Sequence, residues 1–205
     1  MNARGVARAA RRLFVVAFAA LAAFGYGCGN DSGSLGGRFT PSATAPTADL
    51  VKLVAGASSG PQVIVQAVIY GPDLALDLYA VDFHVTIGDT SVLKFVSGSA
   101  VPGGALTASA GQTIVATATA NVANPADIVV SVHKTGGGLG NGIAGSAAIL
   151  VSLTFETLMP GTSTIGIATS PAPTATDSNN AAIGAITFDA ATGTVTGIRS
   201  GGGPY

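Results

Sequence analysis

From Asp49 onward, hydrophobic and polar residues alternate with a period of two, the repeat of a strand with one buried face. LYAVDFHVTI (78–87) shows it most clearly. Tyr79, Val81, Phe83, Val85 and Ile87 fall on one face, and Ala80, Asp82, His84 and Thr86 on the other. DIVVSVHK (127–134) sets Ile128, Val130 and Val132 inward, and SAAILVSLTFE (146–156) does the same for Ala147, Ile149, Val151, Leu153 and Phe155. QVIVQAVIY (62–70), SVLKFVSG (91–98), TIVATATA (113–120) and the runs TSTIGIA, IGAITF and GTVTGI add further strands, parted by Gly, Pro, Asn and Asp turns. Many short strands with turn residues between them predict an all-β sandwich or barrel. No segment has the 3.6-residue period of a three-turn amphipathic helix, and no repeat points to a solenoid or propeller.

The pattern changes upstream of Asp49. Arg4, Arg8, Arg11 and Arg12 precede the uncharged run LFVVAFAALAAF (Leu13 to Phe24), the layout of an export signal. That run is too short for a permanent membrane helix, which needs about 20 residues. FGYGCGNDSGS follows and holds the chain's one cysteine, Cys28. Without a second cysteine there is no internal disulfide. The stretch resembles a bacterial lipoprotein signal, in which a small residue precedes a cysteine that is acylated and becomes the new N-terminus. Gly27 fits that pattern; Gly25 and Tyr26 depart from its aliphatic preference. Ordinary cleavage near Ala20-Leu21-Ala22 is the alternative. CGNDSGSLGGRFTPSATAPTA (28–48) reads as a Gly/Ser then Pro/Thr tether. The expected organisation is a signal over 1–27, a tether over 28–48, one sandwich over 49–198 and a tail over 199–205. In a Gram-negative cell, the lipoprotein resemblance and Gly29 after the cysteine imply an outer-membrane lipoprotein of the cell envelope.

Composition narrows the function. Charged residues are 9% of the chain and hydrophobic ones 48%, which excludes a disordered polyelectrolyte. Without residues 1–27 the chain keeps five basic and ten acidic residues, a net charge of −5. Nucleic acid needs a basic footprint, so it is not an expected partner. GGGLGNGIAG (136–145) precedes a strand rather than a helix and lacks a Lys-Ser or Lys-Thr end, so it reads as a turned connection and not as a phosphate cradle. Asp177, Asn179 and Asn180 read as an Asx-type turn, with a calcium site as the alternative. His84 and His133 stand apart, with no metal-ligand spacing and no nucleophile motif around them. Neither catalysis nor a cofactor is expected. A carbohydrate-binding module, the rival to a protein receptor, would stack sugars on aromatic rings. The chain has no Trp and, past the signal, only Tyr70, Tyr79 and Tyr205. A structural or adhesive surface role also remains open.

Three stretches carry a family likeness. LYAVDFHVTIGDTSVLKFVSGSAVPGG, GIAGSAAILVSLTFETLMPGTSTIGIA and ATDSNNAAIGAITFDAATGTVTGI resemble successive segments of the cohesin family over about residues 50–198. The long Ala/Thr stretch 105–126 departs from its pattern. The resemblance implies a jelly-roll β-sandwich of about nine strands that binds a dockerin-like module through one sheet face, with no catalysis. It also implies that strands 78–87 and 127–134 are neighbours on that face. Outward parity then gathers Asp82, His84, Ser131 and His133 into one patch, with Leu150, Ser152 and Thr154 expected beside them. A solvated polar face without a partner is the competing reading.

Overall fold

The computed structural model describes residues 34–71, 77–140 and 147–199. The signal, Cys28, the start of the tether, the second half of the Gly-rich run and the tail from 200 lie outside the described residues. The elements in chain order are β1 (Leu35–Thr40), β2 (Leu50–Ala55), β3 (Gln62–Tyr70), β4 (Ala80–Ile87), β5 (Leu93–Phe95), β6 (Val101–Pro102) and β7 (Thr113–Ala120). They continue with β8 (Asp127–Thr135), β9 (Ala147–Thr157), β10 (Gly161–Ile167), β11 (Thr174–Thr176), β12 (Thr187–Phe188) and β13 (Gly193–Arg199). Seven of them form one sheet in the order β1-β13-β10-β4-β8-β7, with β11 pairing on β4. Six form the other, in the order β12-β2-β3-β9-β5, with β6 on β9. Every ladder is antiparallel except the short β12–β2 pair. The result is an all-β jelly-roll sandwich: the alternation predicts an all-β sandwich or barrel, and the family resemblance implies the jelly roll. Its short strands β5, β6, β11 and β12 bring the count among the described residues above the nine expected.

Alternation explains the core. Val81, Phe83, Val85 and Ile87 of β4 face inward, as do Ile128, Val130 and Val132 of β8, all buried. They meet Val63 and Val65 of β3 and Val151, Leu153 and Phe155 of β9 across the sandwich. The Phe155 ring lies edge-on to Phe95, with centroids 5.6 Å apart. Each large apolar side chain fully removed from water contributes about 1.5–3 kcal/mol. Tyr79 departs from its expected inward place. It is half-buried, and its hydroxyl donates to the Gly136 carbonyl (2.8 Å), while its neighbour Leu78 fills the core.

A bulge shifts the parity of β9. The β3–β9 register slips between Ala67 and Val68, so that Ala67 opposes Val151 and Val68 opposes Ile149. Leu150 is the extra residue, and it turns into the core beside Val151. The expected inward positions of Ala147 and Ile149 therefore fail: Ala147 is exposed and Ile149 only half-buried.

The sandwich also begins earlier than residue 49. Residues 35–40, read as tether, form β1, which pairs with β13 across six residues and buries Phe39. Gly37 lies so close to Val63 and Thr157 that any side chain there would overlap them. The next residues are docked as well. Lys52 and Asp189 are 6% and 7% exposed, with Lys52 Nζ 3.9 Å from Asp189 Oδ2. Lys52 donates to the carbonyls of Ser42 (2.8 Å) and Thr44, and both hydroxyls donate to the Asp189 carboxylate. Burial pushes the Asp189 pKa up, but hydrogen bonds from Ser42, Ala191 and Thr44 and the Lys52 charge leave it below the ordinary carboxylate range.

Candidate functional site

The outer face of the seven-stranded sheet brings four of the expected residues together. β4 and β8 are adjacent, with Asp82 opposite Ser131, His84 opposite Val129, and Ala80 opposite His133. Asp82 is exposed; His84, Ser131 and His133 are half-buried against their neighbours on the sheet. Directly opposed residues share a face in an antiparallel pair, and diagonal ones lie within reach of longer side chains. His84 uses such a diagonal: its Nδ1–H donates to Asp127 Oδ1 at 2.8 Å. Ser131 and His133, two apart on β8, share a hydrogen bond of 3.2 Å between Oγ and Nδ1. Thr117 and Thr119 of β7 extend the face past Ser131 and Val129, and Thr174 of β11 extends it past Asp82.

Asp127 is the member that the sequence reading missed. It shares the outward parity of Val129, Ser131 and His133, so the alternation already held the signal. The arrangement divides its chemistry between two imidazoles. The serine hydroxyl meets His133, whereas the carboxylate meets His84. A nucleophilic relay needs one imidazole to hold both partners. Two imidazoles, a hydroxyl and two carboxylates instead offer a set of hydrogen-bond donors and acceptors spread over adjacent strands.

Leu150, Ser152 and Thr154 do not join the patch. β9 belongs to the other sheet, so Ser152 and Thr154 face away on the opposite side of the sandwich, where Gln66 donates to Ser152 Oγ (3.2 Å). Leu150 is 1% exposed and lies in the core.

A second polar cluster closes one end of the sandwich. Lys134 continues the inward parity of β8 and is 2% exposed, with Nζ donating to the Leu139 carbonyl (3.3 Å). Burial pulls its pKa down, and the nearby charge of Asp77 partly restores it. Asp77 accepts from the Ser178 hydroxyl (2.5 Å) and from the amides of Ser178 and Gly140. The Ser178 hydroxyl bond is the largest influence on Asp77, and with the amide bonds and the Lys134 charge it outweighs burial and holds the carboxyl below its ordinary value. Asp177 forms the expected Asx-type turn, its Oδ1 accepting from the amides of Asn179 and Ala181, both at 2.8 Å. Asn180 adopts φ 62° there. The described half of the Gly-rich run is a tight turn, with Gly136 at φ 81° and Gly138 at φ 121°. Gln112 Nε2 donates to the carbonyls of Gly137 and Leu139 in that turn.

No family model and no curated protein matches the chain. Among solved structures, the chain is similar to cohesin modules. One is the second type II cohesin module of the adaptor scaffoldin ScaA of Acetivibrio cellulolyticus, at 10% identity and a TM-score of 0.48 over 76% of this chain and 91% of that one. Another is the sixth cohesin of scaffoldin B from the same organism, solved in complex with a mutant Cel5 dockerin. It matches at 17% identity and a TM-score of 0.44, covering 76% of this chain and 96% of that one. A cohesin module from a Clostridium perfringens family 33 glycoside hydrolase matches at 8% and 0.42, covering 81% and 97%. The sandwich itself is established by its own strand ladders.

Proposed function

We propose that the domain is a non-catalytic receptor that docks a protein partner on the outer face of its seven-stranded sheet. Asp82, His84, Ser131 and His133 lie at the centre of that surface. The observation that carries this reading is the open, hydrogen-bonding face spread over β11, β4, β8 and β7, with exposed Val129 of β8 directly opposite His84. Such a face suits a broad, polar contact between proteins, where hydrogen bonds and a little apolar area share the surface. The partner class is a dockerin-like module, as the cohesin resemblance of residues 50–198 implies. The basic and apolar N-terminus supports export, with Cys28 acylated and the domain held at the outer membrane.

Capture of a calcium-loaded dockerin module by the full chain tests the reading. Asp82→Ala with His84→Ala should weaken capture by about tenfold or more, since central interface residues often contribute more than 1 kcal/mol each. The melting temperature should move by only a few degrees, because the His84–Asp127 hydrogen bond lies partly open to solvent and such a bond contributes about 0.5–1.5 kcal/mol. Equal capture by the double variant would return the patch to ordinary surface.

A further inference from the structure

The ladders place the start of β1 and the close of β13 at one end of the sandwich, with the loops 56–61, 88–92, 121–126 and 158–160. Backbone hydrogen bonds tie these loops to the strand ends. The Thr157 amide donates to the Pro61 carbonyl, Leu158 to Val92 and Ile87 to Ala126, all at 2.8 Å. Four of the seven large hydrophobic side chains exposed among the described residues lie at this end: Val122, Leu158, Met159 and Ile198. Leu158 and Met159 make the turn from β9 to β10 and are 46% and 47% exposed. Ile198 is 56% exposed, and Gly36, opposite it on β1, has no side chain to cover it. The Met159 carbonyl packs on Gly197, which sets Met159 beside Ile198. Val122 extends the apolar rim to the loop between β7 and β8. Single exposed hydrophobic residues are ordinary, whereas a group gathered at one place marks a contact surface. Charge is scarce here as well. The four loops hold one charged residue, Asp89. The nearest strand carboxylates each meet a base: Asp127 bonds His84, and Glu156 lies opposite Lys94. Asp49, Asp77 and Asp177 all lie at the opposite end.

We propose that this end is the base on which the domain meets a lipid bilayer, with Leu158, Met159 and Ile198 entering the interfacial layer. The inference rests on the acylation of Cys28 proposed above and adds how the domain stands on the membrane. Chain length identifies the occupant. Six residues separate Cys28 from Leu35, so an acylated Cys28 lies at most roughly 25 Å from the start of β1. β3 alone runs nine residues, about 30 Å at the rise of a strand. The chain between Cys28 and Leu35 is therefore too short to lay the opposite, acid-bearing end on the bilayer. It holds the apolar end there instead. Leu158, Met159 and Ile198 gain by leaving water, and the nearly uncharged loops around them lose little solvation on approach. Few carboxylates also mean little repulsion from anionic lipid. The strands then stand upright on the membrane, and the outer face of β4 and β8 remains open to a partner.

Depth-dependent quenching of the full chain, reconstituted in vesicles of phosphatidylethanolamine and phosphatidylglycerol, reads the orientation directly. One added cysteine carries a fluorophore: Met159→Cys at the base, Val129→Cys on the outer face or Leu139→Cys at the opposite end. Brominated acyl chains should remove about half or more of the Met159 emission, since an interfacial side chain sits some 5–10 Å deep. The labels at Val129 and Leu139 should keep theirs. Adding Leu158→Asp and Ile198→Asp should abolish the quenching at Met159, with the protein still in the vesicle fraction and its melting temperature unchanged. Equal quenching at the three positions, or none at Met159 in a chain whose mass shows an acylated Cys28, overturns this inference and leaves the anchor standing. A chain recovered without acyl groups overturns both. A Met159 label shielded from iodide as protein concentration rises, and not by lipid, overturns it in favour of a second copy.

Discussion

Replacing Asp189 with alanine tests how the N-terminal segment is held. The carboxylate faces the Lys52 ammonium at 3.9 Å and accepts from Ser42 Oγ at 2.6 Å and from Thr44 Oγ1 and the Ala191 amide, both at 3.0 Å. At an effective dielectric of about 20, unit charges at this separation attract by roughly 4 kcal/mol before desolvation. Alanine removes that attraction and three hydrogen bonds, and leaves a lysine buried with only carbonyl partners. Breaking one side of a buried pair costs about 3–5 kcal/mol, and that is the expected loss for Asp189→Ala. Asp189→Asn keeps the shape and part of the hydrogen bonding and should cost about 1–3 kcal/mol. Lys52→Met with Asp189→Leu should cost less than Asp189→Ala alone, because an apolar replacement of a whole buried pair is often near neutral. Urea unfolding measures all three, with the slope of the transition checked for constancy. If Asp189→Ala costs less than about 1 kcal/mol, Ser42 and Thr44 are not docked in solution and the tether extends to residue 48.

Phe155→Ala, at the centre of the sandwich and edge-on to Phe95, should lose about 3–5 kcal/mol in the same assay; a loss under about 2 kcal/mol would mean that the core collapses to fill the space. Asp77 has a folded-state pKa below its ordinary 3.8, so its contribution to stability is full above about pH 4 and is lost as pH falls through the lower folded value. Asp77→Asn should therefore flatten the acid limb of a stability–pH curve, and an unchanged limb would exclude Asp77 as its source. Cys28→Ser should move the protein from the membrane fraction to the soluble extract; unchanged detergent partitioning would refute lipidation.

The parity of β4 and β8 was legible, because each carries a largely apolar inner row and an outer row that is polar apart from Ala80 in β4 and Val129 in β8. That alone was enough to bring Asp82, His84, Ser131 and His133 to one side. Parity does not say which sheet a strand joins, and so Ser152 and Thr154 were placed on the wrong side of the sandwich. The bulge at Leu150 was illegible for a related reason, since it is defined by the partner strand and not by the sequence of β9. β1 was hidden by its own composition. Gly36 and Gly37 give it no side-chain alternation, its partner β13 comes from the far end of the chain, and the prolines and threonines after it read as spacer. The buried lysines show the limit of a polarity scale. Lys134 sits on an inward register that its charge argued against, and Lys52 is covered by a segment that composition assigned to solvent.

The first and last described strands lie side by side in opposite directions, with Leu35 opposite Arg199 and the remaining pairs following in order to Thr40 and Thr194. A pull applied to both ends would therefore part the ladder like a zipper, one rung after another, and never load all six pairs together. The peak force would be that of a single rung. The closure of the sandwich at this seam is mechanically soft, whatever its strength against denaturant.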